Sequence, residues 1–191
     1  MDARLIDALV QESLRLLPDP WLEGLNAEQE PYCRFLHLLA RAIMPEAAVE
    51  LGTYRGTTAV HLAAAGVRTY GVDSTGYPSI KGEAQRRGLP VRFLFCDTLG
   101  AAVALGAELR GKIGIVFQDS HHHAEPSWQE WLYWSPLLAP EWVWVCDDVS
   151  ASFRMPDEPR GMVGYWERLP GQKKLYKDLL HRGGTVGVML P

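Results

Sequence analysis

Three features are scarce in this sequence: cysteine, long apolar runs and an excess of positive charge. The 191 residues include three cysteines. Cys33, Cys96 and Cys146 are far apart and do not form a Cys-x-x-Cys motif. This pattern excludes a disulfide framework and favours reduced thiols, as in a cytoplasmic protein.

The scarcity of long apolar runs excludes a membrane-spanning helix, which needs roughly 18 or more consecutive apolar residues. Near the start of the chain, Asp2, Arg4 and Asp7 interrupt the apolar residues, unlike in a secretory signal peptide. The net charge of −4 argues against a protein that coats nucleic acid or an anionic membrane. We therefore expect a soluble, cytoplasmic protein with small-molecule partners and no nucleic-acid or membrane partner.

The stretch from residue 47 to residue 73 organises the rest of the chain. A short apolar run ends at Glu50 and Gly52, a second glycine follows at Gly56, a helix of small residues comes next, and a second apolar run ends at Asp73. This order predicts strand, tight loop, helix and strand, a βαβ unit. Glycines at the end of the first strand let the backbone approach a ligand, and an acid ending the second strand can accept hydrogen bonds from ribose hydroxyls.

The spacing Glu50-x-Gly52-x-x-x-Gly56 lacks the third glycine of the dinucleotide-binding pattern. Tyr54 and Arg55 also stand where a pyrophosphate would need bare backbone. The stretch resembles the first motif of the Rossmann-like S-adenosylmethionine-dependent methyltransferases. The alternative is that both glycines serve an ordinary turn after a strand.

Apolar spacing predicts the remaining elements. Before the βαβ unit it predicts helices at residues 2–17 and 28–44. After the unit it predicts strands at 91–95, 113–117 and 142–146, and helices at 79–87, 99–109 and 127–138. A loop at 153–159 then leads to a helix at 160–169 and to strands at 174–180 and 185–189, joined by a glycine turn at 181–184.

This alternation predicts an α/β fold: a doubly wound, seven-stranded, mostly parallel sheet with an antiparallel C-terminal hairpin and helices on both faces. The resembling methyltransferases also have seven strands, of which the last is antiparallel. Residues 1–46 would form N-terminal helices that pack on the core or act as a lid. Residues 47–191 would form the S-adenosylmethionine-binding methyltransferase domain, in a single structural domain overall.

Acidic residues follow all five predicted parallel strands, at the sheet edge where such folds bind ligands. The resemblance assigns Glu50 to the amino group of the cofactor, Asp73 to the ribose and Asp97 to the adenine. Asp97 has an alternative role as the N-cap of the following helix. The cofactor-binding residues that the resemblance implies are Glu50, Gly52, Thr53, Tyr54, Gly56, Asp73, Ser74, Asp97 and Thr98.

The acids after the fourth and fifth strands, Asp119, Asp147 and Asp148, predict a metal site. Like charges brought close together raise one another's pKa or require a cation, and oxygen ligands suit magnesium or manganese. The alternative for Asp148 is that it only caps the following turn.

Asp119-Ser-His-His122, followed by Trp-Ser-Pro-Leu-Leu, resembles metal-dependent sugar and natural-product O-methyltransferases and cephalosporin-hydroxylase-like proteins. A related pattern occurs in catechol-type O-methyltransferases. The usual glycine pair before the fifth strand is replaced at residues 141 and 142, which leaves the subfamily open.

The run His121-His122-His123 does not predict a transition-metal site, because three consecutive side chains point in different directions. His122, three residues after Asp119, is predicted to be a general base for removing a hydroxyl proton, so His122 and Asp119 are the candidate catalytic residues. The alternative is a loop histidine bonded to backbone. Candidates for lining the acceptor pocket are Tyr54, Arg55, Phe153, Arg154 and Trp166.

These features predict a magnesium- or manganese-dependent O-methyltransferase that acts on a small hydroxylated acceptor such as a sugar or a natural-product intermediate. One alternative is a metal-independent methyltransferase whose acids bind a cationic acceptor. A second is a non-catalytic cofactor-binding or oligomerisation module, favoured if the acids pair with Arg110 or Arg154. The acceptor's identity and the oligomeric state are left open.

Overall fold

One seven-stranded sheet forms the centre of the computed structural model, which describes residues 2–15, 31–75, 81–150, 160–179 and 184–191. The strands are β1 (Ala47–Leu51), β2 (Thr69–Asp73), β3 (Val91–Phe95), β4 (Ile113–Gln118), β5 (Leu138–Cys146), β6 (Gln172–Tyr176) and β7 (Val186–Leu190). Their order is β3-β2-β1-β4-β5-β7-β6. Strands β1 to β5 are parallel, and β7 is antiparallel to both β5 and β6. The predicted fold class is confirmed.

Seven α-helices accompany the sheet in the described residues. They are α1 (Ala3–Arg15), α2 (Pro31–Ile43), α3 (Thr57–Ala64), α4 (Lys81–Arg86), α5 (Thr98–Leu109), α6 (Ala124–Trp134) and α7 (Gly161–Arg168). Alternate residues of β1 belong to different apolar clusters, because successive side chains of a strand point to opposite faces. Helices α5, α6 and α7 pack in one cluster, while α1, α2 and part of α3 pack in the other. None of the described helices has the length and apolarity that a membrane crossing requires.

The N-terminal helices cover one face of the sheet. Ile6 of α1 and Leu36 of α2 lie in the same apolar cluster as strand residues of β4, β5 and β7. Asp7 also accepts hydrogen bonds from Lys174 Nζ at 2.5 Å and from the Tyr176 hydroxyl at 2.7 Å. The described parts of α1 and α2 are therefore attached to the sheet by both apolar packing and polar contacts.

Three predicted boundaries between residues 124 and 146 were wrong, and proline explains the two that belong to a helix. Helix α6 begins at Ala124 rather than at residue 127, with Pro126 in its first turn, where no backbone donor is needed. The helix ends at Trp134, because Pro136 belongs to a short 3-10 turn, Ser135–Leu137. Strand β5 then begins at Leu138, four residues earlier than predicted.

Strand β6 also differs from its prediction, since it spans Gln172–Tyr176 rather than residues 174–180. It lies at the edge of the sheet and is mostly exposed, so polar residues and lysines are tolerated there. Its Lys173 ammonium donates to the carbonyls of Trp166 and Leu169 at 2.8 Å, at the C-terminal end of α7. Several predicted segments lie outside the described residues: 16–17, 28–30, 79–80, the loop 153–159 with Phe153 and Arg154, and most of the turn 181–184.

Gly52 lets the end of β1 meet the end of β4. Its φ angle is +86°, and a Cβ built there would lie 2.2 Å from the carbonyl oxygen of Asp119. The Asp119 amide donates to the carbonyl of Leu51 at 2.8 Å. The cofactor loop predicted at Gly52 is therefore in direct backbone contact with the segment that carries Asp119.

We expect Gly52→Ala to lower the free energy of unfolding by about 3 kcal/mol or more, because it adds a backbone clash to the strain of a left-handed residue. The matched control is Gly66→Ala. Gly66 has a φ of +88°, and a Cβ added to it would meet nothing within 4 Å. It should cost only about 1–2 kcal/mol. Urea unfolding of both variants measures the difference, and equal losses would show that the contact with Asp119 is unimportant.

Candidate active site

The loop from Gly52 to Gly56 forms a tight turn at the carboxyl edge of the sheet. The amides of Gly52 and Thr53 both donate to the carbonyl of Val72, at 2.9 and 3.1 Å. Gly56 has a φ of 87° and precedes the first residue of α3. The loop therefore joins the end of β1 to the end of β2 and then leads directly into a helix N-terminus, a favourable place for an anionic or polar ligand group.

Glu50 lies beneath this loop, with 2% of its surface exposed. Its Oε2 accepts from the Ala59 amide at 2.9 Å, and the hydroxyl of Thr58 also donates to the carboxyl group. Burial raises the pKa of Glu50 to about 8, which these hydrogen bonds offset in part and the charge of Asp73 reinforces. In this arrangement the carboxyl group binds the first turn of α3. Its contact with a cofactor amino group stays a prediction.

Asp73 ends β2 as a fixed acceptor. Its Oδ2 accepts from the Tyr54 amide at 2.7 Å, and its Oδ1 accepts from the Thr75 amide at 2.7 Å and from the Thr75 hydroxyl at 2.5 Å. Partial burial alone would raise the pKa of Asp73, but these hydrogen bonds outweigh it and the pKa is lowered. Asp73 is thus an ionised acceptor beside the glycine loop, next to the exposed Ser74.

Asp97 and Thr98 follow β3 and have different orientations. Asp97 is the N-cap of α5, since its Oδ1 accepts from the Gly100 amide at 2.8 Å, and it is exposed. The alternative role proposed for Asp97 is therefore observed, while its contact with adenine stays a prediction. Thr98 is buried and donates its hydroxyl to Glu130 Oε1 at 2.6 Å, so this hydroxyl points into the protein interior.

The acids after β4 and β5 come together. The carboxyl groups of Asp119 and Asp147 are within hydrogen-bonding contact, and the charges of Glu50 and Asp148 lie near enough to act on Asp119. Burial, followed by these neighbouring charges, raises the pKa of Asp119 well above its usual range. Asp148 has a positive φ of 49°, which aspartate tolerates better than most residues.

A divalent cation fits the chemistry of this pair. Two carboxyl groups in contact must share either a proton or a cation, and their oxygens are the donors that magnesium and manganese prefer. In the described part of the chain, no group of three or more His, Cys, Asp or Glu side chains is arranged so that it could hold a metal ion. Asp119 and Asp147 would thus supply part of a coordination shell, with further oxygens coming from Asp148, water or an acceptor.

His122 lies between two of the acids. Its Nε2 is 3.8 Å from Asp119 Oδ1, and its Nδ1 is 3.8 Å from Asp148 Oδ2. His121 is exposed, and its carbonyl accepts from Ser127. His123 is the extended N-cap residue of α6. Among these three histidines, His122 is therefore the one found against the acids.

Sequence reasoning missed a buried polar network directly below these acids. The side-chain amide of Gln118 donates to Glu130 Oε2 at 2.7 Å, and its oxygen accepts from Tyr165 at 2.6 Å and from Trp144 at 3.0 Å. Glu130 also accepts from the hydroxyl of Ser120, at 2.6 and 2.7 Å. The sequence signal was a glutamine at the end of an apolar strand and a glutamate at a core-facing position of α6.

The aromatic residues divide into core and surface groups. Trp131 and Trp144 make an edge-to-face contact in the core, with centroids 5.0 Å apart. Trp166, a candidate for the acceptor pocket, is 7% exposed and packs against Gly187. By contrast, Tyr54 is 62% exposed, and the Arg55 guanidinium lies 5.3 Å from its ring centre. The exposed aromatic surface near the glycine loop thus comes from Tyr54.

The fold resembles several solved methyltransferases. The O-methyltransferase TomG from Streptomyces achromogenes, involved in tomaymycin synthesis and solved with SAM, has a TM-score of 0.72 and 19% identity, covering 94% of this chain and 93% of that one. An O-methyltransferase from Bacillus cereus in complex with SAH has a TM-score of 0.68 and 17% identity, covering 96% and 90%. A methyltransferase from Geobacter sulfurreducens has a TM-score of 0.65 and 18% identity, covering 99% and 97%.

A family model described as a methyltransferase domain matches residues 49–149, more than half of the 191 residues. A search of curated proteins finds no significant match. The matched segment contains the glycine loop, Asp73, Asp97, Asp119, His122 and the acidic pair after β5. The prediction of a Rossmann-like, S-adenosylmethionine-dependent methyltransferase is confirmed. The chain therefore belongs to the methyltransferase-domain family.

Proposed function

We propose that the protein transfers the methyl group of S-adenosylmethionine to a hydroxyl oxygen of a small acceptor that carries two neighbouring hydroxyls, such as a sugar or a natural-product intermediate. The proposal includes a magnesium or manganese ion at Asp119, Asp147 and Asp148. The observation that carries it is the contact between the carboxyl groups of Asp119 and Asp147, beside His122. Two of the structurally similar proteins are named O-methyltransferases, which supports oxygen as the acceptor atom.

S-adenosylmethionine would bind along the ends of β1, β2 and β3. When bound, it supplies a methyl group on a sulfonium centre, which is open to attack by an oxygen nucleophile. Asp73 would accept hydrogen bonds from the ribose hydroxyls, because it is an ionised carboxylate held by backbone donors. The Gly52–Gly56 loop would accommodate the methionine end, and Ser74 and Asp97 would lie at the adenine side.

Asp119, Asp147 and Asp148 would hold the divalent ion, which supplies a lower pKa and a fixed position for the acceptor hydroxyl. His122 would accept the hydroxyl proton at a ring nitrogen. Asp119 and Asp148, each 3.8 Å from one of its nitrogens, would then stabilise the imidazolium charge. The deprotonated acceptor oxygen would then be the nucleophile, at the same edge of the sheet as the proposed cofactor loop.

The rival functions use the same residues differently. In a metal-independent methyltransferase, the acids would bind a cationic acceptor instead of an ion. In a non-catalytic module, they would pair with arginine. Arg110 follows the C-terminus of α5, roughly 18 Å along the helix from the end that carries Asp97. Arg110 is therefore poorly placed to neutralise acids at the carboxyl edge, and Arg154 lies outside the described residues.

The proposed setting is the cytoplasm, where the three cysteines, which form no disulfide here, would stay reduced. The proposed partners are small molecules, without nucleic acid or membrane. The oligomeric state is left open, including assembly as a homo-oligomer.

Replacing Asp73 with alanine should weaken cofactor binding. Two ribose hydroxyls would lose a charged acceptor, at a cost of about 1.5–3 kcal/mol, or roughly a ten- to hundredfold loss of affinity. Isothermal titration calorimetry with S-adenosylhomocysteine measures this change. Unchanged affinity, or tighter binding of NAD by the parent protein, would refute the assignment. Thr75→Val is a useful comparison, because it removes one donor to Asp73 but keeps the carboxylate.

Metal dependence can be measured directly. Methyl transfer from labelled S-adenosylmethionine to a confirmed acceptor should stop with EDTA and return with magnesium or manganese. Binding of Mn²⁺, followed by electron paramagnetic resonance, should weaken by about tenfold or more in Asp147→Asn, while affinity for S-adenosylhomocysteine stays unchanged. Full turnover in excess EDTA would favour the metal-independent rival.

His122→Ala should lower turnover by about 10²–10⁴-fold with little effect on cofactor affinity, because it removes the proposed base. His121→Ala is the matched control, since His121 is exposed and adjacent in sequence. Steady-state kinetics on both variants tests the assignment. Loss of activity in His121→Ala with retention in His122→Ala would show that a different histidine acts as the base.

A further inference from the structure

Glu130 connects two segments at the carboxyl edge of the sheet that are not adjacent in sequence. Its Oε1 accepts from the Thr98 hydroxyl at 2.6 Å and from the Ser120 hydroxyl at 2.6 Å. Thr98 is the first residue of α5, directly after Asp97 on the proposed cofactor side. Ser120 directly follows Asp119 on the proposed acceptor side. One carboxylate oxygen thus joins the cofactor side to the acceptor side.

Glu130 also holds both neighbours of Asp119. Gln118 donates to Oε2 at 2.7 Å, and Ser120 donates to both oxygens. The amide of Gln118 cannot rotate freely, because its oxygen accepts from Trp144 and Tyr165. Glu130 therefore supports the position of Asp119 through the residue on each side, in addition to the backbone hydrogen bond from Asp119 to Leu51.

Burying Glu130 at a core position costs free energy. Glu130 is 1% exposed, and Thr98, Gln118 and Ser120, which donate to it, are neutral side chains. Burying a carboxylate among neutral donors is costly, and an apolar side chain of similar size often stabilises a core as well or better. Such a group is best explained if its hydrogen bonds fix a geometry that apolar packing would leave loose.

We propose that Glu130 is a positioning residue that couples cofactor binding to the placement of Asp119. This inference rests on the proposed function, because it takes Thr98 and Asp119 to lie on the cofactor and acceptor sides of one site. Binding of the cofactor against the start of α5 restricts the motion of Thr98. Because Thr98 and Ser120 both donate to Glu130, the motion of Ser120 and of the adjacent Asp119 is restricted as well. The acceptor side is thereby fully aligned when the methyl donor is present.

Hydrogen exchange measured by mass spectrometry, with and without S-adenosylhomocysteine, tests the coupling. In the parent protein the ligand should slow exchange in the loop at 51–57 and also, by about fivefold or more, in the segment 117–123. Glu130→Gln keeps the size of the side chain but replaces one acceptor oxygen with a donor. In that variant the ligand should still protect 51–57, while its effect on 117–123 falls by about twofold or more. The remaining protection would pass through the backbone contacts of Asp119 with Leu51 and Gly52.

Matched variants separate coupling from simple loss of stability. Thr98→Val and Ser120→Ala each remove one hydroxyl that donates to Glu130, and each should show the effect expected of Glu130→Gln. These two variants keep the test usable if Glu130→Gln itself folds poorly. Gln129→Ala is the control, because Gln129 is the adjacent residue on α6 and donates to Glu125 instead. It should behave like the parent protein. On a confirmed acceptor, the three coupling variants should also show kcat lowered about tenfold, with KM for S-adenosylmethionine changed by less than about threefold.

The outcomes distinguish the two proposals. The coupling is wrong, and the proposed function stands, if the ligand protects 51–57 in the parent protein but does not protect 117–123. The same conclusion follows if the ligand protects 117–123 as strongly in Glu130→Gln, Thr98→Val and Ser120→Ala as in the parent protein. If the ligand protects neither segment in the parent protein, the proposed cofactor site is wrong and the coupling fails with it.

Discussion

The parallel sheet brings carboxyl groups together, and the resulting repulsion shapes the whole site. Strands β1, β2, β4 and β5 run in the same direction, so the acids that follow them meet at one edge. Burial raises the pKa of Glu50 to about 8 and raises the pKa of Asp119 as well. An apolar sheet with this many acids at one edge needs protons, donors or a cation to remain folded.

The structure resolves this repulsion differently on its two sides. On the proposed cofactor side, Asp73 is ionised because backbone and hydroxyl donors stabilise its charge, whereas the buried Glu50 favours its protonated form near neutral pH. On the proposed acceptor side, Asp119 and Asp147 are in contact, with His122 beside Asp119. One side thus offers a fixed anion for hydroxyl groups, and the other offers a place for a cation or a shared proton. The proposed methyl transfer from a ribose-bearing cofactor to a hydroxylated acceptor would use both.

The fold was predictable because it depends on periodicity, whereas several site details depend on packing between distant residues. Alternating apolar runs located every strand of the parallel sheet, and the acids after them lie at its carboxyl edge, where the site is proposed. Pro126 and Pro136 moved the ends of α6, because proline is tolerated in a first helical turn and ends a helix elsewhere. The inward orientation of Thr98 was not predictable, since its partner Glu130 is 32 residues away in sequence. Only the folded chain reveals which face of α6 meets the start of α5.

The backbone contacts at the carboxyl edge of the sheet all hold the acids after β4 and β5 in fixed positions relative to the loop at Gly52. Displacing reacting groups by about 1 Å can lower a rate a hundredfold, so a catalytic acid must be held by groups that are themselves fixed. The backbone of Asp119 is held by Leu51 and lies against Gly52, which ties it to the cofactor loop. The amide of Asp147 donates to the carbonyl of Gln118 at 2.9 Å, which ties the second acid to the first. The backbones of Asp119 and Asp147 are thus positioned by contacts with their neighbouring strands, while Glu130 holds the side chains of Gln118 and Ser120 on either side of Asp119.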